Sequence, residues 1–326
     1  MKSRAPIIRT IMIREGTGNV TAVLRTYRLG KTIGGKPLVS DVNMTLRKGE
    51  IYGFLGQNGA GKTTVMKMIA AILRPIEGEI ELFGKPLQAG DVEPLKRMGS
   101  IIEYPIFYEK LTALENLELH CEYMGYYNRK AIGEALEMVG LTGAGNKPVK
   151  EFSLGMKQRL GIARAIVTKP ELLLLDEPIN GLDPGGIRDM RNLLTMLSKE
   201  FGIAILVSSH ILGEIEHIAD TVGVIHQGRL VKEVSMEELR RTRHDYVEIA
   251  TREVEKAAYV LTERLNVTNL KVAGEHAIRV YDLTVPQSEL VKALSLSDVP
   301  VDSVVRKQHS LEDYFFNLLN GGGLHA

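Results

Sequence analysis

The sequence predicts an α/β fold: a mixed, mostly parallel sheet with covering helices, followed by a small α+β unit at the C-terminal end. Three observations carry that expectation. From about Thr21 to Leu230, short apolar runs suited to buried strands alternate with segments of helical periodicity. One run, Ile51–Leu55, feeds a glycine-rich loop that opens a helix. Beyond Leu230 the order changes to strand, helix, two strands, helix, strand and helix, which is a split βαβ pattern with an added helix.

Taken in order, Thr21 to Leu29 and Leu38 to Leu46 read as strands, with Gly30, Gly34, Gly35 and Pro37 marking a turn between them. Ile51–Leu55 reads as a buried strand, and Val65, Met66, Ile69, Ile72 and Leu73 line one face of the next helix. Glu79 to Phe83 and Gly99 to Ile102 are short strands. Thr112 opens a helix with Glu115 as its capping-box partner, and a second helix runs from about Asn128 to Val139. Ser153 leads into a helix with Leu160, Ala163 and Ile166 inward. Leu172–Leu175 is an unbroken apolar run ending in Asp176 and Glu177, as expected of a parallel strand covered on both faces. Pro184 starts the next helix. Ile203 to Val207 is a further buried strand that ends in Ser208, Ser209 and His210.

The expected organisation is a lead-in over residues 1–21, a main domain over 22–235 with a helical region at about 104–168, a linker over 236–243, an accessory domain over 244–320 and a tail over 321–326. In the accessory domain the reading places strands at Tyr246–Ala250, Leu270–Val272, Ala277–Val280 and Val299–Val305. Helices fall at Arg252–Leu265, Gln287–Leu296 and Leu311–Leu319.

Composition narrows the function. At 44% hydrophobic the chain buries a real core, which excludes wholesale disorder. A net charge of +1 gives no electrostatic bias toward nucleic acid, and none is expected as a partner. A lone Cys121 excludes an internal disulfide framework, and the absence of a Cys/His cluster argues against structural zinc; both suit a reducing cytoplasm. No apolar run reaches the roughly 18–20 residues that a membrane-spanning helix needs. Residues 1–21 carry basic side chains without the apolar stretch of a secretory signal, and Met12 is an alternative start.

The chemistry concentrates at Gly56-Gln57-Asn58-Gly59-Ala60-Gly61-Lys62-Thr63-Thr64. Strand, glycine loop, then helix is the setting a phosphate-binding loop requires. Glycines let backbone N–H groups point at a polyphosphate, and the helix start adds positive potential. Lys62 then reaches the β- and γ-phosphates, and the Thr63 hydroxyl serves Mg²⁺. Asp176, at a strand end, supports the Mg²⁺ shell, while Glu177 orients or deprotonates an attacking water. His210 ends a strand expected beside that of Asp176, where it can hydrogen-bond the γ-phosphate and the water.

On these motifs, Ala22 to Leu230 resembles the ATP-binding subunit of an ABC transporter. In that resemblance Phe152-Ser153-Leu154-Gly155-Met156 stands at the family signature, Gly181-Leu182-Asp183 at its D-loop and His210 at its switch histidine. It implies a P-loop NTPase fold, ATP and Mg²⁺ as ligands, and hydrolysis by Lys62, Glu177 and His210. It also implies head-to-tail pairing with a second copy or a homologous subunit. ATP then lies between the loop of one copy and Ser153 and Gly155 of the other, and a separate membrane permease holds the subunit at the inner face of the membrane. Two departures matter. Glu103 stands where the family has glutamine; its carboxylate can still bind Mg²⁺ or a water but cannot donate as an amide does, and with the Phe-Ser-Leu-Gly-Met signature it resembles bacitracin-export and lantibiotic-immunity ATPases. Ile33 stands where an aromatic residue stacks on adenine, so the base is expected to pack on an aliphatic side chain. Tyr104, Pro105, Phe107 and Tyr108 are expected to present aromatic surface to the permease. The alternative reading is a soluble ATPase of the same type acting on a ribosome or DNA, which co-purification with a polytopic membrane protein would exclude.

Overall fold

The structure, a computed structural model, describes residues 21–242 and 245–307. Strands β1 (Ala22–Ile33) and β2 (Lys36–Arg47) pair antiparallel and reverse at Gly34 and Gly35, both at positive φ. Gly30, expected in that turn, lies inside β1, where a side chain would crowd Glu77. Strand β3 (Ile51–Leu55) is wholly buried and leads through the glycine loop into α1 (Lys62–Ile69). Then come β4 (Glu77–Leu82), β5 (Lys85–Pro86), α2 (Glu93–Lys96) and β6 (Met98–Ile101). Order β2-β1-β4-β5 makes the first, antiparallel sheet.

The helical region contributes α3 (Ala113–Tyr123), α4 (Arg129–Met138) and α5 (Leu154–Ile166). Each start follows from its cap. Thr112 and Glu115 form a reciprocal capping box, Asn128 Oδ1 accepts from the Ala131 N–H, and Ser153 Oγ accepts from the Met156 N–H. Strand β7 (Leu172–Asp176) follows, then α6 (Pro184–Lys199), capped by Asp183 with Pro184 in its first turn. Next are β8 (Ala204–Ser209), α7 (Leu212–Glu216), β9 (Thr221–His226) and β10 (Arg229–Ser235).

The second sheet runs β10-β9-β3-β8-β7-β6 and is parallel except for the β9–β10 pair. Its alternate faces feed two cores. Leu173 and Leu175 pack with Leu160, Leu194 and Leu197. Leu172 and Leu174 pack with Val65, Met66 and Ile69. All four leucines are fully buried, and each contributes about 1.5–3 kcal/mol of transfer free energy. The registers Asp176↔Ser208 and Leu55↔Ser209 align the carboxyl ends of β7, β8 and β3 at one edge. In open parallel sheets that edge is where ligands bind.

Beyond it, α8 (Met236–Thr242), read from sequence as a linker, buries Met236 and Leu239 in the core that holds Leu173. The remaining elements are β11 (Tyr246–Ala250), α9 (Val254–Leu265), β12 (Leu270–Val272), β13 (Ala277–Val280), α10 (Gln287–Ser295) and β14 (Ser303–Lys307). They form an antiparallel sheet in the order β12-β13-β11-β14, the split βαβ arrangement, with Leu261, Leu290 and Leu294 packed on Val247, Ile249 and Ile278. The last strand starts later than expected because Val299 turns inward to that core before the chain extends. Residues 1–20, the expected final helix Leu311–Leu319 and the tail at 321–326 lie outside the described residues.

Candidate functional site

The glycine loop is built by close approach. A Cβ on Gly56 would sit 2.5 Å from the Ile225 carbonyl oxygen, so no larger residue fits between β3 and β9. Gly59 and Gly61 take φ of 81° and 110°, which glycine adopts without strain. Ala60 is buried beneath the loop, and its carbonyl accepts from the Gly228 N–H, which ties the loop to the β9–β10 hairpin. Gln57 and Asn58 stand on the exposed crest, and Thr64 follows Thr63 into α1.

Lys62 folds back over this loop. Its ammonium donates to the Gly56 carbonyl at 2.7 Å and approaches that of Gln57 at 3.4 Å. It also pairs with Glu177 Oε1 at 3.2 Å. Thr63 Oγ1 donates to Asp176 Oδ2 at 2.7 Å, joining the first turn of α1 to the end of β7. Both are hard oxygen donors of the kind that hold Mg²⁺ through few protein ligands, so the pair fits that ion.

Glu177 sits just past β7 at φ +50°, an uncommon conformation for a residue with a side chain. Its Oε2 lies 2.8 Å from His210 Nδ1. Its Oε1 is buried and receives no hydrogen bond of good geometry, so the contact with Lys62 is an ion pair rather than an aligned bond. A carboxylate oxygen with spare acceptor capacity beside a polyphosphate site is suited to take a water proton.

Sequence reasoning passed over one member of this cluster. Ser208 is fully buried, its hydroxyl donates to Asp176 Oδ1 at 2.5 Å, and it accepts from the Glu177 N–H at 3.0 Å. One hydroxyl thus orients both acids. Its strand-end position beside His210 was visible, but its partners stand more than thirty residues earlier in the chain.

The other expected site residues fall elsewhere. Ser153 and Gly155 line an open cavity of about 450 Å³ together with Gly181, Leu182 and Asp183, so signature and D-loop share one surface. Glu103, at φ +65°, places its carboxylate on Lys67 Nζ at 2.5 Å. Ile33 ends β1 and is half-exposed, while Tyr27 lies in mid-strand. Of the aromatic surface, Tyr104 and Tyr108 are exposed, but Phe107 packs inward beneath the Arg164 guanidinium, 4.8 Å from its ring centroid.

Comparison with known proteins identifies the family. Residues 39–180 match the family described as ABC transporter. The chain is 55% identical over 307 residues to an uncharacterised ABC transporter ATP-binding protein, YcbN of Bacillus subtilis (strain 168), covering 94% of this chain and all of that one. It is 43% identical over 303 residues to the bacitracin transport ATP-binding protein BcrA of Bacillus licheniformis, covering 93% and 99%. Among solved structures, an ATP-binding subunit of an ABC transporter is 30% identical with a TM-score of 0.60, covering 67% of this chain and 92% of that one. A chain that matches such relatives over more than nine-tenths of its length, and gathers its loop, acids and histidine at one sheet edge, belongs to the ATP-hydrolysing, ATP-binding subunits of ABC transporters.

Proposed function

We propose that this chain powers a separate membrane permease that exports, or confers immunity to, a peptide antibiotic. The cluster of Lys62, Thr63, Asp176, Glu177 and His210, bonded across three elements, carries the hydrolytic part of the reading. Gly56–Thr64 bind the phosphates of ATP, and Ile33 packs on the adenine. Thr63 and Asp176 would hold Mg²⁺, with Glu103 held against Lys67 of α1 as a further carboxylate, and the ion would supply positive charge to the β- and γ-phosphates. Glu177 takes the proton of the attacking water while His210 fixes its other oxygen.

Ser153 Oγ and the Gly155 backbone, at the start of α5, offer a second anion-binding surface. A second copy or homologous subunit brings that surface to the γ-phosphate, so one nucleotide joins two chains and its hydrolysis parts them. No helix among the described residues is long and apolar enough to cross a membrane, so the membrane path is assigned to the permease. The subunit then works in the cytoplasm, against the inner face of the membrane, and exposed Tyr104, Ile106 and Tyr108 offer an apolar contact. Likeness to a bacitracin transport protein supports the cargo class.

The test is co-expression with a candidate polytopic membrane permease. Co-purification of the two, and antibiotic tolerance that disappears with Lys62→Ala, are expected. Tolerance that survives the substitution would refute the assignment.

A further inference from the structure

Lys62 is claimed twice. The loop motif sends its ammonium to the β- and γ-phosphates, yet in the structure the same ammonium pairs with Glu177 Oε1 at 3.2 Å. Lys62 is buried, with two carbonyls of its own loop, Gly56 and Gln57, also within 3.4 Å of it. A γ-phosphate on Lys62 and the Glu177 carboxylate on Lys62 are two anions at one cation, and their mutual repulsion opposes holding both there.

We propose that the Lys62–Glu177 ion pair makes release of the base conditional on a triphosphate, at some expense in affinity for it: the γ-phosphate must displace Glu177 from Lys62, and only then is the Glu177 carboxylate free to face the attacking water. Three features support this. The pair is poorly aligned as a hydrogen bond, since Oε1 receives none of good geometry, so an incoming phosphate with three oxygens competes well. Glu177 keeps a second anchor, His210 Nδ1 at 2.8 Å, and a bond from its N–H to Ser208 Oγ, so release from Lys62 swings the carboxylate about fixed points. Lys62 is also fixed by its own loop carbonyls, so the carboxylate is the partner that moves. A diphosphate offers Lys62 its β-phosphate alone and lacks the γ-phosphate that must enter beside Glu177, so it leaves the ion pair in place. The base is thereby restrained whenever its substrate is not bound. The inference rests on the assignment of Gly56–Thr64 as the phosphate loop.

The test is equilibrium binding of ADP and of β,γ-imido-ATP, both with magnesium, by titration calorimetry. Ser153→Arg protein is used throughout, so that pairing of two copies adds nothing to affinity. Glu177→Gln is expected to bind the imido nucleotide about tenfold more tightly, about 1.4 kcal/mol, with ADP affinity unchanged. Glu177→Asp separates contact from charge. It keeps the carboxylate but is one methylene too short to reach Lys62, so it should show the same selective gain. Equal gains for both nucleotides, or wild-type affinity for the imido nucleotide in Glu177→Asp, would overturn the interlock. Failure of either nucleotide to bind the protein with Glu177 intact would instead overturn the phosphate loop itself.

Discussion

Replacing Ser208 with alanine removes one hydroxyl and disturbs two acids. The hydroxyl is fully buried, so water does not replace it. Asp176 Oδ1 loses a donor at 2.5 Å, and the Glu177 N–H loses its acceptor at 3.0 Å. A buried polar group left without its partner costs about 1–3 kcal/mol, toward the upper end when the group is charged. The two losses together predict about 2–4 kcal/mol of destabilisation, or a melting temperature lower by roughly 5–15 °C. The functional effect is separate. With Oδ1 released, Asp176 is free to rotate away from Thr63, and loss of such an outer hydrogen bond typically weakens metal binding about tenfold or more. The assay is ATP hydrolysis as a function of magnesium at saturating ATP, run below the melting temperature of the variant. Half-saturation should move to about tenfold higher magnesium, and Ser208→Thr, which retains the hydroxyl, should restore it. A stable Ser208→Ala protein with the wild-type magnesium curve would refute the argument.

Other expectations follow from single contacts. Lys62→Ala should abolish ATP hydrolysis, and retained turnover would place the phosphate site elsewhere. Glu177→Gln should hold two chains together around ATP, visible as a dimer in size-exclusion chromatography; normal turnover would count against Glu177 as the base. Gly99→Ala should destabilise the protein by about 1–3 kcal/mol or more, because its Cβ would meet the Ala165 carbonyl oxygen at 2.0 Å; an unchanged urea midpoint would contradict this. Glu233 as a residue is exposed, but its carboxyl tip rests on the buried Tyr52 hydroxyl and is pushed above its ordinary range, first by loss of water around it, while the bond that Tyr52 donates at 2.7 Å acts the other way and Glu50 adds to the rise. Its protonated form is therefore favoured in the folded state, and that contribution is lost as pH rises through the raised value. Glu233→Gln, neutral at every pH and still able to accept from Tyr52, should gain stability over the wild type as pH rises from about 4 to 8. A pH-independent difference in urea midpoint would sink the idea.

What the sequence made legible depended on the range of the interaction. Thr112 with Glu115, Asn128, Ser153 and Asp183 with Pro184 are local caps, and the helices begin beside each of them. The run Leu172–Leu175 suits a strand buried on both faces, and it is one. In contrast, β9 and β10 went unread. Gly223 interrupts the first, where a Cβ would strike the Tyr52 hydroxyl, and β10 is an edge strand with only Val234 buried. The sheet alone brings Ser208 to Asp176 and Glu177, and Glu103 to Lys67. No local pattern encodes those pairings.

Strand β7 has a consequence for how this protein tolerates change. Its neighbouring leucines answer to different cores, Leu173 and Leu175 on one side, Leu172 and Leu174 on the other. Asp176 and Glu177 are therefore held at the tip of a beam clamped on both flanks. Loosening either flank tilts the acids, and repacking the opposite flank does not level them again. Variation that spares hydrolysis is thus expected to collect in the exposed turns and on the outer faces of the helices, with the beam itself left almost untouched.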